Sequence, residues 1–226
     1  MEAYIINLDK RTDRWENCLK ELKKVNISAT RVSALTPSKV ENEKVLFATR
    51  DIIAIWISHK KAMQAFLNSG ASHALILEDD FSFRLKNIEK INDLFVKFNL
   101  DFLQIGFLLP HISDYCVYRI ENLQDFFLKL LSHFKLKSFA KKHSITEQKN
   151  VPIGLVLNGI RAGGHAYVIN RRFAETCLLI NSPTFLSTDG LFISLGIARN
   201  FKMARLRKSK VSQTNSPSSV VKRIKD

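Results

Sequence analysis

The residues Leu75-Ile76-Leu77-Glu78-Asp79-Asp80 carry the strongest chemical signal in this 226-residue chain. An apolar run stops at three carboxylates, the pattern of a buried strand delivering acids to one edge of a sheet. Side chains alternate along a strand, so extended geometry puts Glu78 and Asp80 on one face and Asp79 on the other. Two convergent carboxylates at a strand end are hard oxygen ligands suited to Mn²⁺ or Mg²⁺, above all where a substrate phosphate completes the shell. A strand end followed by a solvated acidic turn has the same spacing, and the residues alone leave both readings open.

Several elements must position these acids. Residues 3–8 read as a first strand. The polar stretch 7–14 follows, and then a helix with Trp15, Cys18, Leu19, Leu22 and Val25 on one face, which Thr12 or Asp13 can cap. Such an opening brings helix-start N–H groups to the carboxyl edge of a sheet, where nucleotides bind. Arg11 and Arg14 suit a diphosphate there; they read equally as solvated charge on a first turn. Residues 29–34 give a second strand, and Thr36-Pro37-Ser38 a break. Over 51–68, Ile52, Ile55, Trp56, His59, Ala62, Met63, Phe66 and Leu67 recur at helical spacing. His59 on that apolar face is by default a hydrogen-bonded core histidine.

Beyond the acids, a helix over 88–98 precedes a strand over 101–107. Strands over 151–157 and 163–170 and a helix over 171–180 follow. Asp189 either caps the apolar segment 191–197 or presents a carboxylate to the same edge as Asp80. This succession predicts an α/β fold, Rossmann-like, with a mostly parallel sheet flanked by helices. One domain over 1–198 is expected, followed by a basic segment over 199–226 that is mobile in part.

A hydrophobic content of 46% with 25% charged residues excludes wholesale disorder. Early charges, from Glu2 to Arg14, interrupt any signal-peptide core, and no apolar run reaches the roughly 20 residues of a membrane span. A cytoplasmic location is expected. Cys18, Cys116 and Cys177 are too widely spaced for a zinc site or a disulfide framework. The net charge of +14 favours polyanionic partners: nucleotides, nucleic acid or an anionic membrane. Residues 123–142 combine a stripe of Leu and Phe with five lysines. They form either a helix packed on the core or one lying on an anionic bilayer. The basic residues lack a recognition helix or an aromatic single-strand platform, which argues against nucleic acid.

Five segments, in this order, resemble glycosyltransferase family 25: YIINLDKRTDRW at 4–15, ISHKKAMQ at 57–64, ALILEDD at 74–80, GGHAYVIN at 163–170 and VSQTNSPSS at 211–219. The resemblance implies a GT-A-like fold, a UDP-galactose or UDP-glucose donor, inversion at the anomeric carbon, and a lipooligosaccharide or other surface-glycan acceptor. The work would be done at the inner membrane face, with possible peripheral contact to anionic lipid. It places Asn7, Asp9 and Arg14 near the nucleotide and Ser58 and His59 in the supporting wall. Asp80 becomes the metal ligand, helped by Glu78, with Asp79 structural. Gly163 and Gly164 would let backbone approach the sugar, and Gln213 with the basic tail would close over the diphosphate. Inversion needs a carboxylate base, for which Asp189 is the candidate. Ile52, Ala54 and Ile55 depart from the glutamate and glycine-cysteine pair usual before Ser-His. That departure keeps a second reading, a glycosyltransferase-like protein that binds without catalysis. A basic nucleic-acid-binding protein is a third.

Overall fold

Period-two alternation in the strands decides the architecture. In the computed structural model, which describes residues 1–40, 49–108 and 155–214, the chain runs β1 (Glu2–Asn7), α1 (Thr12–Lys24), β2 (Ala29–Ser33), a 3-10 turn (Pro37–Lys39), α2 (Arg50–Ser69), β3 (His73–Glu78) and β4 (Phe81–Phe83). It continues through α3 (Glu89–Lys97), β5 (Phe102–Gly106), β6 (Leu155–Leu157), β7 (Ala166–Asn170), α4 (Arg171–Ile180), α5 (Thr188–Ala198), β8 (Met203–Leu206) and β9 (Val211–Gln213).

The main sheet order is β2-β1-β3-β7-β5-β8-β6, with β9 joining β4 to β5. The pairs β2–β1 and β1–β3 are parallel, β7 lies antiparallel between β3 and β5, and β8 and β9 run parallel to β5. The carboxyl ends of β1, β2, β3, β5 and β8 therefore share one edge with the amino end of β7. The expected α/β sheet flanked by helices is present.

Each central strand is apolar on both faces because both are covered. Ala3, Ile5, Leu75, Leu77, Leu103, Ile105 and Val168 point toward Cys18 and Leu22 of α1 and Ile91 and Phe95 of α3. Tyr4, Ile6, Ile76, Phe102, Tyr167 and Ile169 meet Trp56, Met63 and Phe66 of α2, Phe173 of α4 and Phe192 of α5. On this second face the rings of Phe102, Tyr167 and Phe192 lie 4.8 to 5.5 Å apart, centroid to centroid. Each such pair adds about 0.5–1.5 kcal/mol beyond area burial.

Local chemistry sets the helix ends. The Thr49 hydroxyl accepts from Ile52 N–H at the start of α2, and Gly70 ends that helix in the left-handed region at φ 79°. Asn170 caps α4 and Ser187 caps α5. Two capping expectations are corrected. Asp189 is not the cap of α5, since Ser187 supplies it. Neither Thr12 nor Asp13 caps α1, whose N-cap position is Arg11 with no side-chain capping bond. Leu19 points outward, 48% exposed, and Arg14 takes an inward place with Cys18 and Leu22 at four-residue spacing.

The boundary expected at residue 198 is also corrected. β8 pairs with both β5 and β6, and β9 with β4, so the chain through Gln213 belongs to the same sheet. The helix expected over 123–142, Cys116, the start of the strand expected at 151 and the basic tail past 214 lie outside the described residues.

Buried Asp101, at the start of β5, joins three elements. Its carboxylate accepts from Asn170 Nδ2 at 2.8 Å, Arg172 Nη2 at 2.7 Å and the Lys202 amide at 2.7 Å. Asp101→Ala strands the Asn170 and Lys202 donors, and is expected to lower stability by about 2–4 kcal/mol. Urea denaturation checks this as a lower midpoint with an unchanged slope.

Candidate active site

The acids at the end of β3 part company as the strand becomes a turn. Glu78 continues the alternation onto the α2 face, where its Oε1 lies 3.4 Å from His59 Nε2. Burial alone would raise the Glu78 pKa, but His59 foremost, with His165 and Arg14, holds it below the ordinary value. The other ring nitrogen of His59 meets Tyr167 Oη at 2.8 Å, and that phenol is fixed among the aromatic rings of the core.

Asp79 turns to the α1 face. Its two oxygens accept from Arg14 Nη1 and Asn7 Nδ2, both at 2.6 Å, and its backbone carbonyl accepts from the Cys18 thiol. Arg14 and Asp79 are nearly buried, with 7% and 9% of their side chains exposed, so this is an interior ion pair. Burial next to Asp79 and Asp80 pushes the Cys18 thiol up to about 12.

Asp80 is left with the least compensation. Its Oδ2 lies 4.0 Å from Arg14 Nη1, while Oδ1 is buried without a hydrogen-bond partner. Burial, and then Glu78, raise its carboxyl to about 6. The C-terminal strand folds back beside it: Gln213 pairs with Phe81, and the Thr214 amide donates to the Asp80 carbonyl at 2.6 Å.

A divalent cation fits this edge on a stated condition. Among the described residues no three His, Cys, Asp or Glu side chains converge as a preformed cage. The unpartnered Asp80 oxygen, with Glu78 close by, matches an ion that takes one or two carboxylates from protein and its remaining ligands from phosphate and water.

Asp189 reaches the same edge from α5. Its Oδ2 accepts the Gly163 amide at 2.8 Å. Burial first, and Glu78 in part, raise its carboxyl, against the amides of Gly163 and Gly164. A Cβ on Gly164 would fall 2.9 Å from Asp189 Oδ1, and one on Gly163, at φ 104°, would fall 2.8 Å from the Leu108 amide. The missing side chains of these glycines admit the Asp189 carboxylate and neighbouring backbone.

The remaining expected residues divide. Asn7 is buried, and its Oδ1 accepts from Arg31 Nε at 2.8 Å. Asp9 is exposed at the same edge and accepts from Ser33 Oγ at 2.8 Å. Arg14, expected to face a diphosphate, is buried against Asp79. Arg11 is engaged with the Asp13 carboxylate through Nε and Nη2. Ser58 serves the fold, donating to the Ala54 carbonyl at 2.7 Å and accepting the Leu35 amide at 2.8 Å. Ala54, one of the departures from the family pattern, is buried in the small cluster with Val40 and Ile53.

Three residues escaped the reading of the sequence. Arg31, in the middle of β2, donates to Asn7 and to the carbonyls of Leu8 and Asp9 and lies over Trp15. Tyr167 carries His59. His165 is buried, with Nδ1 unpartnered and Nε2 3.4 Å from the Val211 carbonyl, and burial lowers its pKa. The last two sit inside the GGHAYVIN segment, where a polar ring in an otherwise apolar strand was the available signal.

The α/β sheet gathers carboxylates, a buried histidine and a strand-turn-helix opening at one carboxyl edge, the edge at which open α/β sheets generally bind their ligands. Residues 1–192 match the family described as glycosyltransferase family 25 (LPS biosynthesis protein), and the chain belongs to this family. No curated relative matches. Among solved structures, A197 from STIV is similar at 15% identity over 99% of this chain and 98% of that one, with a TM-score of 0.44. S. aureus TarS 1–349 is similar at 11% identity over 94% of this chain, TM-score 0.47, and this chain spans 60% of that one. The same protein in complex with UDP-GlcNAc gives 10% identity over 96% of this chain and 59% of that one, TM-score 0.42.

The Arg14–Asp79 pair generates a measurable coupling. Arg14→Met leaves Asp79 buried with one partner fewer and should destabilise by about 3–5 kcal/mol. Arg14→Met with Asp79→Asn should recover part of that loss, and a double-mutant cycle by urea denaturation measures it.

Proposed function

We propose that this family member transfers a hexose, galactose or glucose, from a UDP-sugar to a lipooligosaccharide or other surface-glycan acceptor, with inversion and with Mn²⁺ or Mg²⁺ assistance. The observation that carries the reading is the buried, unpartnered Asp80 oxygen at the edge that also holds Glu78 and Asp189. Asp80 and Glu78 would hold the cation, which when bound supplies positive charge to the departing diphosphate.

The protein's own groups define the rest. Asn7, Asp9 and Arg31 line the β1–β2 end of the edge, where the nucleotide would lie, with Gln213 beside the acid turn. Arg14 holds Asp79, and through it the turn that carries Asp80. His59, braced by Tyr167, orients Glu78. Asp189 would take the proton of the acceptor hydroxyl as that oxygen attacks the anomeric carbon and the bond to the diphosphate breaks. A carboxyl whose pKa burial has raised is a better base for that transfer than a solvated one. Among the described residues no helix is long and apolar enough to cross a membrane. We place the work in the cytoplasm, with peripheral contact to the inner membrane face through the basic surface.

Two variants separate the roles. Asp80→Asn is expected to abolish Mn²⁺-dependent hydrolysis across a panel of UDP-sugars while the far-UV circular dichroism stays native; full activity would remove the metal assignment. Asp189→Asn is expected to keep donor binding, read by calorimetry, and to lose transfer at least about 100-fold. Lost donor binding would make Asp189 structural instead.

A further inference from the structure

Past β5 the carboxyl edge changes sign. Arg161, in the loop before Gly163, and Arg205, on β8, both lie over the ring of Phe107, at 5.6 and 5.3 Å from its centroid. Arg207 follows directly after β8 and is exposed. Arg205 is half-buried and held in place by the fold: Nε donates to the Gly159 carbonyl at 2.6 Å and Nη1 to the Leu206 carbonyl at 3.1 Å. Its other N–H groups remain available.

Like charges gathered this way repel, and the fold works against that repulsion. Burial, and then Arg161 and Arg207, lower the Arg205 pKa. The ion pairs among the described residues involve neither Arg161 nor Arg205. The sequence contains no acidic residue from Gly190 to Lys225. The face of Phe107 offsets part of the cost through its quadrupole, but a ring carries no countercharge. Arg205, braced by two backbone carbonyls, and Arg161 share one ring and have no acidic partner among the described residues, an arrangement suited to an external anion. A phosphate group, with up to two charges and several acceptor oxygens, answers planar guanidinium forks better than a single carboxylate does.

The place of the cluster says which substrate carries that phosphate. A Cβ on Gly163 would lie 3.1 Å from Phe107 Cα, and the Gly163 amide holds Asp189. The ring beneath the arginines is thus next to the backbone that positions the proposed base. In the sheet order β3, from whose carboxyl end Asp80 continues, is separated from β5 by β7, and β1 with the β1–α1 turn lies one strand further. We propose that Arg161 and Arg205, with Arg207 beside them, bind a phosphate group carried by the acceptor. This rests on the transferase reading for the word acceptor; the anion site itself does not.

The test uses the full chain labelled with ¹⁵N-arginine and saturated with UDP, so that the donor side is filled. Titration with inorganic phosphate is expected to shift the Nε–Hε resonances of Arg161 and Arg205. In Arg161→Gln/Arg205→Gln the affinity should fall at least about tenfold, the loss of one or two charge-assisted hydrogen bonds. Single Arg161→Gln leaves the backbone bonds of Arg205 intact and keeps the test valid if the double variant does not fold. Absence of phosphate-dependent shifts in the wild type, or equal affinity in the variants, overturns the site. Phosphatidylglycerol vesicles identify the source. Co-sedimentation lost in the variant assigns a lipid headgroup and overturns the acceptor assignment; co-sedimentation unchanged while phosphate binding is lost supports a phosphorylated acceptor. UDP-sugar hydrolysis should be equal in wild type and variant. If the wild type shows no hydrolysis but does bind phosphate, the transferase reading fails and the anion site stands.

Discussion

Three carboxylates in succession cannot sit at the end of a buried strand unless most of their charge is answered. The Arg14–Asp79 pair does this first. An arginine from the opening turn of α1 enters the interior, meets Asp79 at 2.6 Å, and is joined there by Asn7 from the end of β1. One interaction thereby locks three elements at the carboxyl edge. An interior pair of this kind adds little net stability compared with apolar groups of the same shape. Its effect is positional: with Asp79 satisfied on the α1 face, Glu78 is delivered to the α2 face and Asp80 to the turn, each in a different environment.

The division of labour among the acids follows from those environments. Glu78 is compensated by a histidine that is itself braced by a phenol in the aromatic core. Asp80 keeps a buried oxygen without a partner and a carboxyl raised to about 6. Asp189 arrives from a distant helix into room that Gly164 leaves by lacking a side chain, and it accepts the Gly163 amide. Membership of glycosyltransferase family 25 is shown by the match over residues 1–192. The individual roles proposed for these acids come from the resemblance, and the environments of Asp80 and Asp189 support them.

Much of the frame was legible from local pattern. Short segments between polar breaks marked β1, β2, β3, β5 and β7, and three-to-four spacing marked α2, α3 and α4. The acid turn was legible as the point where the apolar run of β3 stops. What escaped depends on partners far away in sequence. β8 and β9 sit in a basic stretch that looked like a tail, and only their pairing with β5, β6 and β4 makes them strands. Arg14 looked like a ligand for phosphate because charge on a first turn is usually solvated, and its burial requires Asp79, 65 positions on. Ser58 was legible as part of a supporting wall, but its partners, the Ala54 carbonyl and the Leu35 amide, were not.

The closing of the chain on itself beside Asp80 has a consequence for how the site comes into being. β4 follows the acid turn immediately, but its partner β9 belongs to the last described stretch, and the Thr214 amide that meets the Asp80 carbonyl comes later still. β8 likewise fills the place between β5 and β6 only from residue 203 onward. During synthesis the parallel half, β2-β1-β3, can pair early from neighbouring segments, whereas the acid edge waits for contacts of high sequence separation. A nascent chain therefore carries its acids, with Arg14 beside Asp79, well before it carries a finished site, and competence arrives with the final strands.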